Sequence, residues 1–372
     1  MNGHHSIGSA PVIFPATYLT ARDRFRDASD RLGWRARAYA IDATGPQHED
    51  LTIDVAISPP ADADRVLVIS SGLHGVEGPF GSAVQLALME RWQRDGCPTG
   101  IRCVLVHALN PFGYAWSRRC DGENVDPNRN FLLEAERYEG SPVGYAEIDP
   151  WLNPARPPGW WDGFYARAVL AAGRHGRRAL QQALVGGQHD FPRGLFFGGS
   201  KPSRTHAILR QHLGSWVGQA EHVVHLDLHT GLGASGIGKL LVDYPLDAGQ
   251  HAQLNRWFGA EVIEEVSEHG DGYRARGSFG PWCVAQQCAP DYLFAFAEFG
   301  TYGPLAVLAG LRRENQAHHW GRPDQPGTIQ AKVRLRELFC PASPTWRSRG
   351  LANGLVLVDR AIAGLGRILR TA

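Results

Sequence analysis

Short runs of apolar and β-branched residues alternate along the chain with longer amphipathic segments. Runs of this kind are typical of buried strands. They predict strands at 65–71, 101–109, 222–228, 237–244 and 292–299. Apolar positions near a period of about 3.6 residues predict helices at 80–94, 161–184, 249–266 and 351–369. Strands that alternate with helices indicate an α/β fold, with a mixed, mostly parallel twisted sheet and helices on both faces.

The 372 residues show no repeat of fixed period and no low-complexity linker. We therefore expect one domain spanning 1–372. The segment from about 136 to 204 departs from the general pattern because it is rich in Pro, Gly and Trp, and we interpret it as an insertion of loops around one helix. Such a segment is either a lid or pocket wall or a plain surface excursion, and the sequence leaves both open.

Charge and composition exclude some classes of partner. Lys and Arg number 38 and Asp and Glu 37, and no basic run is interleaved with aromatic residues, so we expect neither nucleic acid nor membrane as a partner. The N-terminal residues lack a basic start followed by an apolar core, and no long apolar run occurs, which indicates a soluble, cytoplasmic protein. The six cysteines form no CxxC pair, and we assign none to a metal or disulfide.

The first candidate for chemistry is SGLHGVEG, directly after the strand at 65–71. His74 and Glu77 are three residues apart, so in a turn both side chains can face one point, as two ligands of one metal ion must. An isolated HxxE pair is also common as a solvated loop pair. This motif alone therefore leaves both interpretations open.

The second candidate is HLDLHTG, at the end of another apolar strand, where open α/β sheets place their ligand crevice. His225, Asp227 and His229 alternate, so their side chains point to one side of the strand. We favour His229 as the metal ligand because it is nearest the strand end. Asp227 and His225 are interpreted as supporting the ligand or as hydrogen-bonded core residues, with the core favoured for His225.

The third candidate is the turn-rich loop at 110–131, which contains several arginines. A guanidinium matches a carboxylate with two hydrogen bonds, so Arg129, with Asn128 beside it, is a candidate anchor for a substrate carboxylate. Arg119 is a candidate to face a developing oxyanion. For any one of Arg118, Arg119 or Arg137, a solvated surface position is the ordinary alternative.

The fourth candidate is Glu298, a single acid that ends the apolar and aromatic strand at 292–299. A carboxylate in such surroundings is costly unless it is paired or functional. It is a candidate general base, and a buried structural ion pair is the alternative.

Taken in order, HGVE, VDPNRNF preceded by Arg119, DLHTG and EFG resemble the zinc carboxypeptidase superfamily over roughly residues 65 to 305. The resemblance implies one Zn²⁺ per chain, and it implies that a late glutamate activates water. The roles it carries over are metal binding by His74, Glu77 and His229, carbonyl polarisation by Arg119, carboxylate binding by Asn128 and Arg129, and base catalysis by Glu298.

Some residues depart from the pattern of the digestive carboxypeptidases. Thr230 and Gly231 follow the third ligand, which is closer to the aspartoacylase and succinylglutamate desuccinylase branch, and the strings RR-x5-VD-x-NRNF and DLHTGLG resemble a bacterial carboxypeptidase-like subgroup of unsettled substrate. Asp121 stands where Asn is common, and Pro127 where Leu is common. The family's mobile tyrosine is not identified, and its candidates are Tyr244, Tyr273 and Tyr302.

The sequence thus predicts a zinc-dependent hydrolase that cleaves an amide or peptide bond next to a substrate carboxylate, with a small molecule or peptide as partner. An N-acyl amino acid deacylase is the alternative. A non-catalytic carboxylate-binding protein is a further alternative, and the presence of Glu298 with a complete ligand set argues against it. The oligomeric state is left open.

Overall fold

The computed structural model describes residues 13–60, 62–159, 163–265 and 275–368, and the strands within them form one mixed sheet. The strands are β1 Arg35–Thr44, β2 Asp50–Ile57, β3 Arg65–Ser71, β4 Arg102–His107, β5 His222–Ser235, β6 Gly238–Val242, β7 Ile263–Glu265 and β8 Asp291–Gly300. Their order across the sheet is β1-β2-β4-β3-β5-β8-β6-β7. The four central strands β4, β3, β5 and β8 are parallel, whereas β1, β2 and β6 join through antiparallel pairs.

Twelve helices are found in the described ranges. They are α1 Tyr18–Arg31, α2 Gly78–Asp95, α3 Pro111–Ala115, α4 Tyr145–Leu152, α5 Phe164–His175, α6 Arg177–Val185, α7 Arg204–Val217, α8 Ala248–Phe258, α9 Phe279–Ala285, α10 Pro304–Trp320, α11 Pro326–Phe339 and α12 Pro344–Gly366. None of these helices is long and apolar enough to cross a membrane.

Helices cover both faces of the sheet. On one face, Phe25 of α1, Phe80 of α2 and Val358 of α12 belong to one buried apolar cluster. On the other face, Leu213 of α7 and Trp282 of α9 belong to a second cluster. The predicted α/β class, with a mixed, mostly parallel sheet and helices on both faces, is confirmed.

The five predicted strands correspond to β3, β4, β5, β6 and β8. The prediction omits β1, β2 and β7. Of these, β1 and β7 are the edge strands of the sheet, and β2 lies next to β1. Residues of β1 are exposed or half-buried throughout, so its sequence lacks a continuous apolar run. β7 has three residues, too few for a period to show.

Two predicted helices are shorter than expected. The segment predicted at 161–184 forms α5 and α6, which are separated at Gly176 (φ 79°). The segment predicted at 249–266 is helical only to Phe258, because Gly259 (φ 86°) ends α8 and the chain then enters β7. A glycine with positive φ is the common way for a helix to end. Residues 161, 162 and 266 lie outside the described residues.

The segment at 136–204 contains three helices, α4, α5 and α6, where one was predicted. Tyr145, Leu152 and Phe164 from this segment pack in a buried cluster with Leu338 and Phe339 of α11. The segment is therefore packed against the body of the fold by apolar contacts of its own.

A buried ion pair joins α10 to the loop after α3. Arg118 donates from Nε to Glu314 Oε1 (3.0 Å), and Lys332 of α11 donates to the same oxygen (2.9 Å). Arg118 and Glu314 are 1% and 3% exposed. Arg118 thus lies in the interior and not at the surface position that an isolated arginine ordinarily takes.

We predict that Glu314→Gln destabilises the fold by about 3 to 5 kcal/mol, because it leaves the buried Arg118 and the half-buried Lys332 without their carboxylate. Burial raises the pKa of Glu314, but Arg118 and Lys332 outweigh it and lower the pKa overall. The wild type therefore loses this stabilisation as the pH falls through the folded-state pKa, and the variant does not. Urea unfolding at neutral and acidic pH measures both effects.

The matched control is Asp359→Asn, which breaks the exposed pair between Asp359 and Arg91. It should cost less than about 1 kcal/mol, as surface pairs do. Equal losses of stability in the two variants would contradict a structural role for the Glu314 pair.

Candidate metal and substrate site

The carboxyl ends of β3, β5 and β8 bring the candidate residues together. These strands are parallel neighbours, and in their register His229 is paired with Glu298. His74 follows the end of β3, after which one turn of 3-10 helix, Gly75–Glu77, leads into α2. Side chains from separate parts of the chain therefore meet at one edge of the sheet, as expected for an open α/β sheet.

The turn that carries His74 and Glu77 is held by the loop that carries the arginines. The N–H of Val76 donates to the carbonyl of Arg118 (2.7 Å), and the N–H of Gly75 donates to that of Arg119 (3.4 Å). Gly75 packs directly on the backbone of Gly113, and a Cβ there would collide with it. The position of the turn thus depends on a glycine and on two backbone hydrogen bonds.

Glu77 lies between two imidazole rings. Its Oε1 is 2.8 Å from His74 Nδ1, and its Oε2 is 3.2 Å from His229 Nδ1. The possible ligand atoms of His74, Glu77 and His229 all lie within 4.8 Å of one another, and the three residues are buried. The N–H of Thr230 also donates to Glu77 Oε2 (2.9 Å). Two imidazole nitrogens and a carboxylate form the donor set of many catalytic zinc sites.

The outer nitrogens of both rings face carboxylates. His229 Nε2 hydrogen-bonds with Asp227 Oδ2 (2.6 Å), and His74 Nε2 lies 3.3 Å from Asp126 Oδ1. His74 Nε2 has no hydrogen-bond partner of good geometry among the described residues. A carboxylate at Nε2 favours the tautomer with its proton there, which leaves the Nδ1 lone pair for a metal. The residues therefore fit a divalent cation.

The electrostatics of this cluster are dominated by acids. Burial raises the pKa of Glu77, but the charges of His74 and His229 outweigh it and lower the pKa to about 2. Burial lowers the pKa of His229, but Asp227 and Glu77 outweigh it and hold the pKa well above its ordinary value. Asp126 is buried beside Arg119 and His74, and its pKa lies well below its ordinary range because these charges outweigh burial. Such an arrangement attracts a cation.

Glu298 is adjacent to the cluster and is not part of it. Its Oε1 accepts a hydrogen bond from the N–H of Leu232 (2.9 Å), and the residue is 8% exposed. Burial, together with the charge of Glu77, raises the pKa of Glu298 to about 7. The side chain thus carries a carboxylate next to the ligand residues without being one of them.

Arg119 and Arg129 both lie over one aromatic ring, that of Phe196. Arg119 donates from Nε to Asp126 Oδ2 (2.8 Å), and its Nη1 is 4.0 Å from Glu77 Oε1. Arg129 ends the 3-10 turn Pro127–Arg129, is 2% exposed, and donates from Nη1 to the carbonyl of Asn128 (2.6 Å). The two guanidinium carbons are 5.5 Å and 5.7 Å from the centre of the Phe196 ring.

Asn128 is half-buried, and its side-chain oxygen already accepts hydrogen bonds within the protein. Its Oδ1 accepts hydrogen bonds from the N–H of Phe279 (2.9 Å) and from Ser278 Oγ (3.3 Å). These bonds join the arginine loop to the start of α9. Any contact from Asn128 to a ligand would therefore use its amide nitrogen. Arg137, by contrast, is exposed and faces Glu139.

A family model described as "Protein of unknown function (DUF2817)" matches residues 14–353. The chain belongs to this family. No curated protein matches it.

Solved structures share the fold of this DUF2817 member. Thrombin activatable fibrinolysis inhibitor (TAFI) aligns with a TM-score of 0.55 at 10% identity, over 95% of this chain and 75% of that one. Bovine TAFI in complex with tick carboxypeptidase inhibitor gives 0.51 at 10% identity, over 95% and 98%. Carboxypeptidase A from Helicoverpa armigera gives 0.47 at 12% identity, over 86% and 73%. The fold is zinc carboxypeptidase-like, and at these identities the likeness establishes the fold alone.

The three tyrosine candidates differ in their surroundings. Tyr244 is bonded within the sheet, since its hydroxyl donates to the carbonyl of Phe294 and accepts from the N–H of the same residue. Tyr302 donates to Glu337 Oε1 (2.7 Å). Tyr273 lies outside the described residues.

A chain of buried hydrogen bonds runs from the sheet interior to His229. Ser70 Oγ donates to Asp227 Oδ1 (2.6 Å) and pairs with His225 Nε2 (2.7 Å), and His225 Nδ1 pairs with the hydroxyl of Tyr292 (2.9 Å). Burial lowers the pKa of His225 to about 4, so this ring is neutral at pH 7. His225 thus has a core position, and Asp227 connects that core to His229.

Sequence reasoning did not single out Asp126, Ser70 or Phe196. Asp126 lies in VDPNRNF, three residues before Arg129. Ser70 is one of two serines that end a largely apolar strand, which is a weak signal. Phe196 lies in the Pro- and Gly-rich segment, where no period indicates which residues are buried.

We predict that Ser70→Ala weakens zinc binding about tenfold to a hundredfold, because Asp227 loses a donor and orients His229 less well. The matched control is Ser71→Ala on the same strand. Ser71 is equally buried, but its Oγ bonds Gln85 Oε1 (3.1 Å). Titration against a competing chelator measures both affinities, and equal values for the two variants would show that the chain of hydrogen bonds does not support the ligand.

Proposed function

We propose that the protein is a zinc-dependent hydrolase that cleaves an amide or peptide bond next to a substrate carboxylate. The observation that carries the proposal is the convergence of ligand atoms from His74, Glu77 and His229 within 4.8 Å, at the edge of the sheet where Glu298 is paired with His229. The zinc carboxypeptidase-like fold supports it.

A zinc ion bound by two imidazole nitrogens and a carboxylate would supply a Lewis acid that lowers the pKa of water towards about 7. His74, Glu77 and His229 would hold it. Asp227, bonded to His229 Nε2, and Asp126, beside His74 Nε2, would keep both rings oriented with Nδ1 towards it.

The other candidate residues would each have a separate role in the reaction. Glu298 would take a proton at its carboxylate from the attacking water and return it to the leaving amine, while its bond from the N–H of Leu232 holds it in place. Arg119, held by Asp126, would face the oxyanion that develops on the scissile carbonyl. Arg129 and the amide nitrogen of Asn128 would bind the substrate carboxylate.

An N-acyl amino acid deacylase is the second candidate, favoured by Thr230 and Gly231 after the third ligand. Both reactions need an amide and a nearby carboxylate, and they differ in what lies on the acyl side. A screen of N-acyl amino acids against short peptides, with zinc-loaded protein, distinguishes them. If the protein hydrolyses neither class of substrate, both proposals are contradicted.

Replacing His74 or His229 with Ala should abolish stoichiometric zinc binding, because two ligands cannot hold the metal as three do. Glu298→Gln is the matched control, since it changes a neighbouring buried side chain that is not a ligand. We expect about one zinc per chain in the wild type and in the control by elemental analysis. Full occupancy in either histidine variant would refute the ligand assignment.

Glu298→Gln should reduce kcat by a factor on the order of 10² to 10⁴, the usual contribution of a positioned acid–base group. The amide keeps an oxygen that can accept from the N–H of Leu232, so we expect the fold to be retained. Steady-state kinetics with circular dichroism test both points. A variant with wild-type kcat would show that Glu298 is a structural acid.

Arg129→Ala should erase a preference for substrates with a free carboxylate over the matching carboxamides. A charge-assisted contact contributes about 1.5 to 3 kcal/mol, so we expect kcat/KM for the acid to fall about tenfold to a hundredfold. Arg129→Lys should restore little, since an ammonium lacks the planar fork. If the wild type hydrolyses acid and amide equally well, the proposed substrate class is wrong.

A further inference from the structure

The ring of Phe196 is in contact with two arginines, Arg119 and Arg129. The ring is buried, at 4% exposure, and both guanidinium groups lie within the range of a cation–π contact. Arg119 and Arg129 come from one loop, whereas Phe196 comes from the segment at 136–204. One aromatic ring from a distant part of the sequence thus contacts both.

The backbone of Phe196 is left-handed, with φ at 59°. This region is costly for a bulky residue and persists only where the surrounding structure enforces it. Here the backbone carbonyls of three successive residues, beginning at Leu195, each accept a hydrogen bond. The carbonyl of Leu195 accepts from the Tyr145 hydroxyl (2.7 Å), and that of Phe196 accepts from the N–H of Gln188 (3.0 Å).

The next carbonyl binds the arginine loop itself, since that of Phe197 accepts from the N–H of Asp126 (2.7 Å). Asp126 is the residue that holds Arg119 and faces His74. The backbone around Phe196 is therefore hydrogen-bonded on one side to Tyr145 of α4, in its own segment, and on the other side to Asp126, beside His74.

Two glycines let the same segment close on Arg129. A Cβ on Gly187 would lie 2.7 Å from Arg129 Cδ, and one on Gly198 would lie 2.5 Å from the Arg129 carbonyl. The segment thus approaches Arg129 more closely than any side chain would permit. This contact accounts for the burial of the guanidinium and for the position of the Phe196 ring against it.

We propose that Phe196 is a positioning residue that holds Arg119 and Arg129 at a fixed separation for the substrate, an inference that rests on the proposed function of this site. Two like-charged groups repel each other, and an aromatic ring in contact with both attracts each of them through its negative face. The segment at 136–204 then forms a wall of the site and not a surface excursion.

Phe196→Leu tests the ring itself, because leucine is as strained as phenylalanine at this φ and occupies similar space. Phe196→Tyr is the rescue variant that keeps the ring. Phe191→Leu is the matched control, since Phe191 belongs to the same segment but packs on Tyr145. The first measurement is the preference for a free-acid substrate over its carboxamide, with kcat and KM separated.

We expect Phe196→Leu to lose about tenfold of the acid preference, mainly in KM, while Phe196→Tyr and Phe191→Leu retain it. The second measurement needs no substrate. Phenylglyoxal reacts with guanidinium groups, and peptide mapping should show Arg119 and Arg129 modified about tenfold faster in Phe196→Leu than in the wild type. Arg118, which is paired with Glu314, should react with phenylglyoxal no faster in Phe196→Leu than in the wild type. This comparison distinguishes local loosening around Phe196 from unfolding of the protein.

The two measurements fail in different ways. If the wild type shows no preference for the acid, the proposed function is wrong, and the modification rates still decide the role of Phe196. If Arg119 and Arg129 react at the wild-type rate in Phe196→Leu, or equally fast in Phe191→Leu, Phe196 does not hold the arginines and this inference is overturned.

Discussion

Three carboxylates are buried at one edge of the sheet, and the rest of the structure is arranged to satisfy them. Glu77, Asp126 and Asp227 are each at most 2% exposed. A buried carboxylate is costly unless charges and hydrogen bonds compensate it, and breaking such compensation is strongly destabilising. Each of the three is therefore surrounded by donors that belong to different parts of the fold.

The compensation joins elements that are far apart in sequence. Glu77 is bonded by two imidazoles and the N–H of Thr230, which link the turn after β3 to β5. Asp227 is bonded by His229 and Ser70, which join β5 to β3. Asp126 binds Arg119 and, through its own N–H, the backbone beside Phe196. Satisfying the acids thus assembles the arginines, the ligand residues and the segment at 136–204 around one point.

The sequence predicts the centre of this arrangement better than its surroundings. Strands β3, β4, β5 and β8 are buried on both faces, so their apolar runs are continuous, and polar residues such as His229 and Glu298 stand out at their ends. Asp126 and Phe196 are different. Their roles depend on contacts with residues that no local period relates to them, so only the folded chain reveals them.

Arg118 and Arg119 are adjacent, yet one side chain enters the ion pair with Glu314 and the other faces the ligand cluster. Their carbonyls also hold the turn between His74 and Glu77. The helices α10 and α11 and the turn that carries His74 and Glu77 are therefore coupled through one dipeptide. Local opening of α10 should release the turn in the same cooperative step, and the amides of Val76 and of α10 should exchange with solvent hydrogen at a common rate.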